Sequence, residues 1–180
     1  MGKQTGGSSE AMPPTSVSQL LAIESVRALK ARYFRLMDMK LWDQWQALFA
    51  ADAVMDVRGE GSALAALGFP EPDPSSLLWT GAGRIREAVS TALEGVATVH
   101  HGHMGEFTFR GKGCIEAIWA MEDRIRYPAG ASAPIAGFNG YGHYHDTYVR
   151  AGDEWGIARV ELRRLMVEPV GWPNGSGRDR

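Results

Sequence analysis

The sequence lacks the features that mark several large classes of protein. Its single cysteine, Cys114, excludes an intrachain disulfide and a cysteine-rich zinc site. The 19 Lys and Arg residues and 21 Asp and Glu residues give a formal net charge of −2. Because affinity for nucleic acid or an anionic membrane depends on clustered cations, we expect neither partner. No apolar run reaches the roughly 18 residues that cross a bilayer, and the N-terminus lacks a signal-peptide pattern, so we expect a soluble, cytoplasmic protein.

What is present predicts one folded domain. The chain has 180 residues, of which 44% are hydrophobic and 22% charged, a composition typical of a globular protein with a single core. Residues 1–16 and 171–180 are rich in Gly, Ser and Pro, and we expect both to be flexible tails. The predicted domain therefore covers residues 17–170.

Hydrophobic periodicity predicts helices first and strands afterwards. Helices are expected from an N-cap at Ser18 and over residues 42–49 and 83–93. Strands are expected over residues 54–57, 100–109, 114–127, 141–150 and 155–167. This order predicts an α+β fold in which N-terminal helices pack on a strongly curved, mostly antiparallel sheet. Two irregular segments, 59–78 and 128–139, are typical of lids or pocket rims.

Strand alternation places two ionisable residues on apolar faces. Asp123 is the only acid on the apolar side of strand 114–127, and Arg164 is the only cation on the apolar side of the last strand. A buried carboxylate loses its hydration and needs a partner. Asp123 therefore belongs either to a structural ion pair or to a catalytic pair, and Arg164 could balance it or bind a ligand carbonyl or anion.

All five histidines lie in two predicted strands, where one of them could act with a buried acid. A neutral imidazole beside a carboxylate forms a general-base pair, because the acid orients the ring and stabilises its charged form. Simple alternation does not put His100 on the same face as Phe107 and Phe109. For His100 to share the face of Phe107 and Phe109, the strand needs a bulge near Gly102 or Gly105.

The other four histidines leave two interpretations open. His101 with His103, and His143 with His145, are i,i+2 pairs whose spacing can hold zinc or iron(II). A metal site would need the two strands to be neighbours with both pairs on one face. The alternative is that these four side chains lie on the surface or at an interface.

Tyr33 and Asp38 fall near the end of the first predicted helix. Five residues turn a helix by about 140°, so both side chains reach one pocket only if the helix ends between them. As alternatives, Asp38 could be an ordinary cap and Tyr33 an ordinary core residue.

Four runs of sequence carry a family resemblance: IESVRALKARYFRLMDMKLWDQW, VHHGHMGEFTF, AIWAMEDRIRY and GYGHYHDTYVRAGDEWGI. They resemble the SnoaL-like branch of the NTF2-like superfamily, and within it the bile acid 7α-dehydratase family. The resemblance implies a cone-shaped α+β barrel around a deep pocket, no metal or organic cofactor, and a homo-oligomer, with a trimer favoured. It also implies a catalytic set of Tyr33, Asp38, His100 and Asp123, with Arg164 in the pocket.

Together these features predict a cofactor-independent lyase of the dehydratase type, or an isomerase or cyclase. The expected substrate is a hydrophobic carbonyl compound, steroid-like or polyketide-like. His100, oriented by Asp123, would take a proton, while Tyr33 and Asp38 would assist the departing hydroxyl or hold the enolate. We expect an apolar pocket lined by Trp42, Phe34, Trp119, Tyr144 and Met166. Two alternatives stay open: a non-catalytic small-molecule-binding module and a metal-dependent enzyme that uses the paired histidines.

Overall fold

The computed structural model describes residues 14–171, so the predicted tails lie almost entirely outside the described residues. The elements, in chain order, are α1 (Val17–Asp38), α2 (Trp42–Gln46), β1 (Phe49–Asp56), α3 (Gly59–Ala66), a 3-10 helix (Pro74–Leu77), β2 (Leu78–Thr80), α4 (Ala82–Ala92), β3 (Ala97–Phe109), β4 (Cys114–Arg126), β5 (Gly137–Ala151) and β6 (Glu154–Val170). None of the helices in this part of the chain has both the length and the apolar character needed to span a membrane.

The first helix lies across the sheet, mainly against β3. Ser16 caps it by accepting a hydrogen bond from the backbone N–H of Gln19, so the predicted cap at Ser18 is wrong by two residues. The buried residues of α1 recur every three or four positions, as expected for an amphipathic helix. The helix ends at Asp38, which places this carboxylate over the start of β3.

The six strands form one sheet in the order β2-β1-β6-β5-β4-β3. All neighbours are antiparallel except β1 and β6. The turns between β3 and β4 and between β5 and β6 contain Gly111 and Gly152 at φ of 86° and 62°, a conformation that favours glycine. The architecture is the NTF2-like α+β cone, so the predicted fold is confirmed.

Register shifts decide which side chains face the interior. Pairing of β3 with β4 shifts between Gly102 and Gly105, which confirms the predicted bulge and turns His100 inward. On β6, Arg164 pairs with Gly142 but Met166 pairs with Tyr141, so the strand carries one extra residue between them. Met166 therefore faces outward and is half exposed, and its prediction as a pocket residue is wrong.

Two segments differ from their predicted structure. The helix expected over residues 42–49 ends at Gln46, because Phe49 already pairs with Ile157 as the first residue of β1. The segment 59–78, expected to be irregular, contains α3 and the 3-10 helix. Its Ala and Leu residues favour a helix, which packs against β6.

The buried apolar side chains form two clusters. The larger joins α1, α2, β1 and the middle of the sheet around Trp45. The smaller consists of Leu67, Val96, Ile125 and Phe138. Residues of both clusters line one internal cavity, so the space between the two clusters is where a ligand can enter the fold.

Candidate active site

The cavity between the two clusters has a volume of about 250 Å³. Helices α1, α3 and α4 and the inner face of the sheet line it, and most of its lining is aliphatic or aromatic. Seven polar or ionisable side chains reach it: Tyr33, Glu60, His100, Asp123, Tyr127, Tyr144 and Arg164. A mostly apolar pocket with a few convergent polar groups is the usual form of a small-molecule site.

Asp38 holds the imidazole of His100 at the cavity wall. The His100 Nδ1 lies 2.6 Å from Asp38 Oδ1, and the backbone N–H of His100 donates to Asp38 Oδ2 at 2.9 Å. An ionised carboxylate only accepts hydrogen bonds, so the neutral ring carries its proton on Nδ1 and leaves a lone pair on Nε2. Since His100 lines the cavity and Asp38 does not, the basic nitrogen is the one available to a ligand.

Further hydrogen bonds keep Asp38 ionised. The Thr98 hydroxyl donates to Asp38 Oδ1 at 2.8 Å, and Lys40 Nζ donates to that hydroxyl at 2.8 Å. Burial raises the pKa of Asp38, but the hydrogen bonds from His100 and Thr98 outweigh it and hold the pKa below its ordinary value. Asp38 is thus a permanent acceptor for the ring rather than a free acid.

Asp123 lies close to both partners that the sequence analysis considered, and it is closer to Arg164 than to His100. It is 1% exposed, which confirms that it faces inward, and it lies opposite His100 in the register. Its Oδ2 accepts a hydrogen bond from Arg164 Nη2 at 2.5 Å, whereas His100 Nε2 lies 4.0 Å away. Asp38 is the acid that binds the ring most closely, through Nδ1, whereas Asp123 forms the ion pair with Arg164 that the sequence allowed and lies at ion-pair distance from Nε2.

Glu60 completes this group and was not predicted. It sits on α3, and its Oε1 accepts from Arg164 Nε at 2.6 Å. Burial raises the pKa of Glu60, and the nearby Asp123 acts in the same direction. Burial disfavours the Arg164 charge, but Glu60 and Asp123 outweigh it and raise the pKa of the guanidinium. No periodic pattern in the short segment GEGSALAA marks its acid as buried, so sequence reasoning had no signal for it.

Two tyrosines supply neutral hydroxyl groups. Tyr33 and Tyr144 are both buried, and their rings meet edge to face with centroids 6.2 Å apart. Burial raises the pKa of both hydroxyls. Both hydroxyls therefore stay protonated; because Tyr144 hydrogen-bonds to the Tyr33 oxygen, the Tyr33 O–H is the one left to donate into the cavity. Tyr33 lines the cavity, whereas Asp38 binds the His100 ring and does not line the cavity.

Comparison with known proteins identifies the family. Residues 18–161 match the model of the SnoaL-like domain. The chain belongs to the SnoaL-like domain family. A probable cyclase of Gibberella zeae is 26% identical to this SnoaL-like chain over 152 residues, which are 78% of this chain and 89% of the relative.

Solved structures show that the SnoaL-like fold is shared. A putative scytalone dehydratase from Novosphingobium aromaticivorans superposes with a TM-score of 0.67 at 19% identity, covering 91% of this chain and 98% of that one. A hexachlorocyclohexane dehydrochlorinase, LinA type 3 from Novosphingobium barchaimii, gives 0.68 at 13% identity, covering 86% and 93%. The predicted membership in the SnoaL-like family is confirmed by the match over residues 18–161.

Three predicted lining residues of the SnoaL-like domain lie outside the cavity, although Tyr144 and Arg164 do line it. Trp42 packs edge to face on Trp45 in the larger cluster. Phe34 lies behind His100, with the two rings nearly parallel and 6.2 Å apart. Trp119 precedes Asp123 by four residues on β4, and its ring meets that of Phe107 edge to face. All three side chains pack within the wall of the cavity and do not line its interior.

A second buried ion pair was missed by the sequence analysis. Lys30 Nζ lies 2.8 Å from Asp146 Oδ2, and both side chains are almost fully buried. The Tyr148 hydroxyl also donates to Asp146 at 2.7 Å. Lys30 lies over the rings of Tyr33 and Tyr144, at 4.3 and 3.8 Å from their centroids, so this pair supports the two cavity tyrosines from behind. The alternation that selected Asp123 on β4 applies equally to Asp146 on β5 and could have found it.

The paired histidines do not share a face of neighbouring strands. His101 and His103 lie on β3 and His143 and His145 on β5, and β4 separates the two strands. The side chain of His101 is half exposed, 3.4 Å from Glu122. Between residues 14 and 171, no three His, Cys, Asp or Glu side chains are arranged to hold a metal ion. The condition that the metal interpretation required is therefore not met.

Proposed function

We propose that this SnoaL-like protein is an enzyme of the lyase or isomerase type that removes a proton next to a carbonyl group of an apolar substrate. The observation that carries this proposal is the pairing of His100 Nδ1 with Asp38, which leaves Nε2 as a base at the wall of an apolar cavity. The cavity residues supply the base and the hydrogen-bond donors themselves, so the chemistry needs no cofactor. The cyclase, dehydratase and dehydrochlorinase named above support this broad class.

The first step forms an enolate. His100 Nε2 takes the proton, the C–H electron pair moves onto the carbonyl oxygen, and the Tyr33 hydroxyl donates a hydrogen bond to that oxygen. Asp38 stabilises the resulting imidazolium through Nδ1, and Asp123, 4.0 Å from Nε2, adds a second negative charge. The surrounding apolar side chains exclude water and strengthen these charge interactions.

The second step decides between elimination and isomerisation. In an elimination the enolate re-forms the carbonyl, a carbon–carbon double bond forms, and the C–O bond of a β-hydroxyl breaks. The leaving oxygen takes the proton from the imidazolium and departs as water. In an isomerisation the imidazolium returns its proton to a different carbon. We propose dehydration of a steroid-like or polyketide-like hydroxyketone as the finer assignment, as the resemblance implies.

Deuterium uptake from D2O tests the base directly. A panel of neutral polycyclic hydroxyketones is incubated with the enzyme, and mass spectrometry follows both deuterium at the acidic carbon and loss of water. A positioned base contributes about 10²–10⁴-fold, so His100→Ala should slow uptake by that factor. His101→Ala is the matched control, because the neighbouring ring is half exposed on the outer face. Unchanged uptake in His100→Ala would contradict the proposal, and ketone binding with no uptake in any variant would favour a binding module.

Three further predictions belong with this proposal. The domain spans residues 17–170, the protein assembles as a homo-oligomer with a trimer favoured, and it acts in the cytoplasm. Sedimentation analysis of the full chain tests the trimer.

A further inference from the structure

Glu60 fills the side of Arg164 that a ligand would otherwise contact. All three nitrogens of the guanidinium face protein atoms: Nε donates to Glu60 at 2.6 Å, Nη2 donates to Asp123 at 2.5 Å, and Nη1 lies 3.8 Å from Met121 Sδ. Both carboxylates and the guanidinium line the cavity. A ligand that entered would therefore meet an arginine whose Nε and Nη2 each already donate to a protein carboxylate.

The fold, rather than a loose surface side chain, sets this contact. A Cβ on Gly59 would lie 2.8 Å from the carbonyl oxygen of Leu162, so α3 begins in close contact with the backbone of β6. The backbone N–H of Val57 donates to the carbonyl of Leu77 at 2.9 Å and closes the base of the segment that carries α3. The backbone packing of α3 against β6 thus fixes Glu60 next to Arg164.

The charges in the cavity then disfavour an anion. One guanidinium stands between two carboxylates, which gives a net charge of −1 when both are ionised and zero when one is protonated. Burial and the neighbouring Asp123 raise the pKa of Glu60, which is what two acids around one cation would produce. In neither state do these three groups leave a positive charge over, and charges interact strongly in a site of low dielectric.

We propose that Glu60 determines the charge of the substrate: the cavity accepts neutral carbonyl compounds and rejects carboxylates, because Glu60 occupies the place where a ligand carboxylate would bind Arg164. This inference rests on the proposed function in one respect, namely that the cavity is the substrate site. It adds to that function the charge class of the substrate. It makes Glu60 a specificity-determining residue contributed by α3.

The test compares two ligands of the same shape, methyl naphthyl ketone and naphthalene carboxylate, by isothermal titration calorimetry at neutral pH. The unmodified protein should bind the ketone about tenfold or more tightly than the carboxylate. Glu60→Ala frees Arg164 Nε and should shift the ratio of the two affinities toward the carboxylate by about tenfold or more, since charge-assisted hydrogen bonds are the strong ones. Leu64→Ala is the matched control: it enlarges the same cavity from the same helix but frees no arginine donor, so the ratio should stay unchanged.

Two results would overturn the inference. One is equal or tighter binding of the carboxylate by the unmodified protein, a measurement that needs no variant to fold. The other is an unchanged affinity ratio in Glu60→Ala while the ketone still binds. Neither readout depends on catalysis, so failure of deuterium uptake would refute the proposed chemistry and leave this inference standing.

Discussion

Replacing Asp38 by asparagine removes the charge that orients His100. The carboxylate accepts hydrogen bonds from the His100 ring at 2.6 Å, the His100 backbone at 2.9 Å and the Thr98 hydroxyl at 2.8 Å. An asparagine amide can face Nδ1 with its N–H group, and the ring then carries its proton on Nε2, where it cannot act as a base. We therefore expect Asp38→Asn to slow deuterium uptake by about 10²–10⁴-fold.

The same substitution should also lower stability by a measurable amount. A hydrogen bond to a charged group contributes roughly 1.5–3 kcal/mol, and the asparagine keeps some acceptor capacity, so we expect a loss of about 1.5–3 kcal/mol in the free energy of unfolding. Urea unfolding measures this loss, and Asp52→Asn, which neutralises an exposed aspartate on β1, is the control. A folded Asp38→Asn protein with the uptake rate of the unmodified enzyme would refute the argument.

The pH dependence of stability has a definite sign. The pKa of Asp38 in the folded protein is held below its ordinary value of 3.8, so its contribution is fully present above that value. The contribution is lost as pH falls through the lower, folded pKa. The difference in unfolding free energy between the unmodified protein and Asp38→Asn should therefore be constant near neutral pH and shrink below about pH 4. A difference that grew with acidification would contradict the assigned hydrogen bonds.

Three further substitutions test the surroundings of the site. A Cβ on Gly140 would overlap Arg164 and Asp123, so Gly140→Ala should lower the free energy of unfolding in urea by about 1–3 kcal/mol. Gly83→Ala is the control: the space around Gly83 is open, so this change should not lower stability. Asp146→Asn leaves Lys30 without a counter-charge and should lower the free energy of unfolding by about 3–5 kcal/mol. A loss under about 1 kcal/mol, as for a surface ion pair, would contradict the assignment of a buried ion pair. Tyr33→Phe should lower deuterium uptake by about 10²-fold with little change in ketone affinity, as expected for a lost oxyanion donor.

Periodicity and alternation predicted much of the fold because they report which faces are buried. They located α1 and the four long strands, and they selected Asp123 over Glu122 as the inward acid. The glycines at 102 and 105 also indicated the bulge that turns His100 inward. These features depend on local sequence and on the two-residue repeat of a strand.

Alternation offered Arg164 as a partner for Asp123, but the partners of Asp38 and Glu60 could not be predicted in the same way, because they depend on contacts between distant segments. Asp38 and His100 are 62 residues apart, and Glu60 and Arg164 are 104 apart. The extra residue before Met166 reverses its face, and no glycine or proline next to it marks the irregularity. Alternation can show that an acid is buried, but only the packed structure shows which cation or ring it meets.

The most direct test of the account is the protonation state of the His100 ring, measured by NMR of its two imidazole nitrogens at neutral pH. We predict that the neutral form of the ring carries its proton on Nδ1 and has a free lone pair on Nε2, and that Asp38→Asn changes this tautomer. A proton on Nε2 in the unmodified protein would contradict it, because the ring would then have no base to offer the cavity.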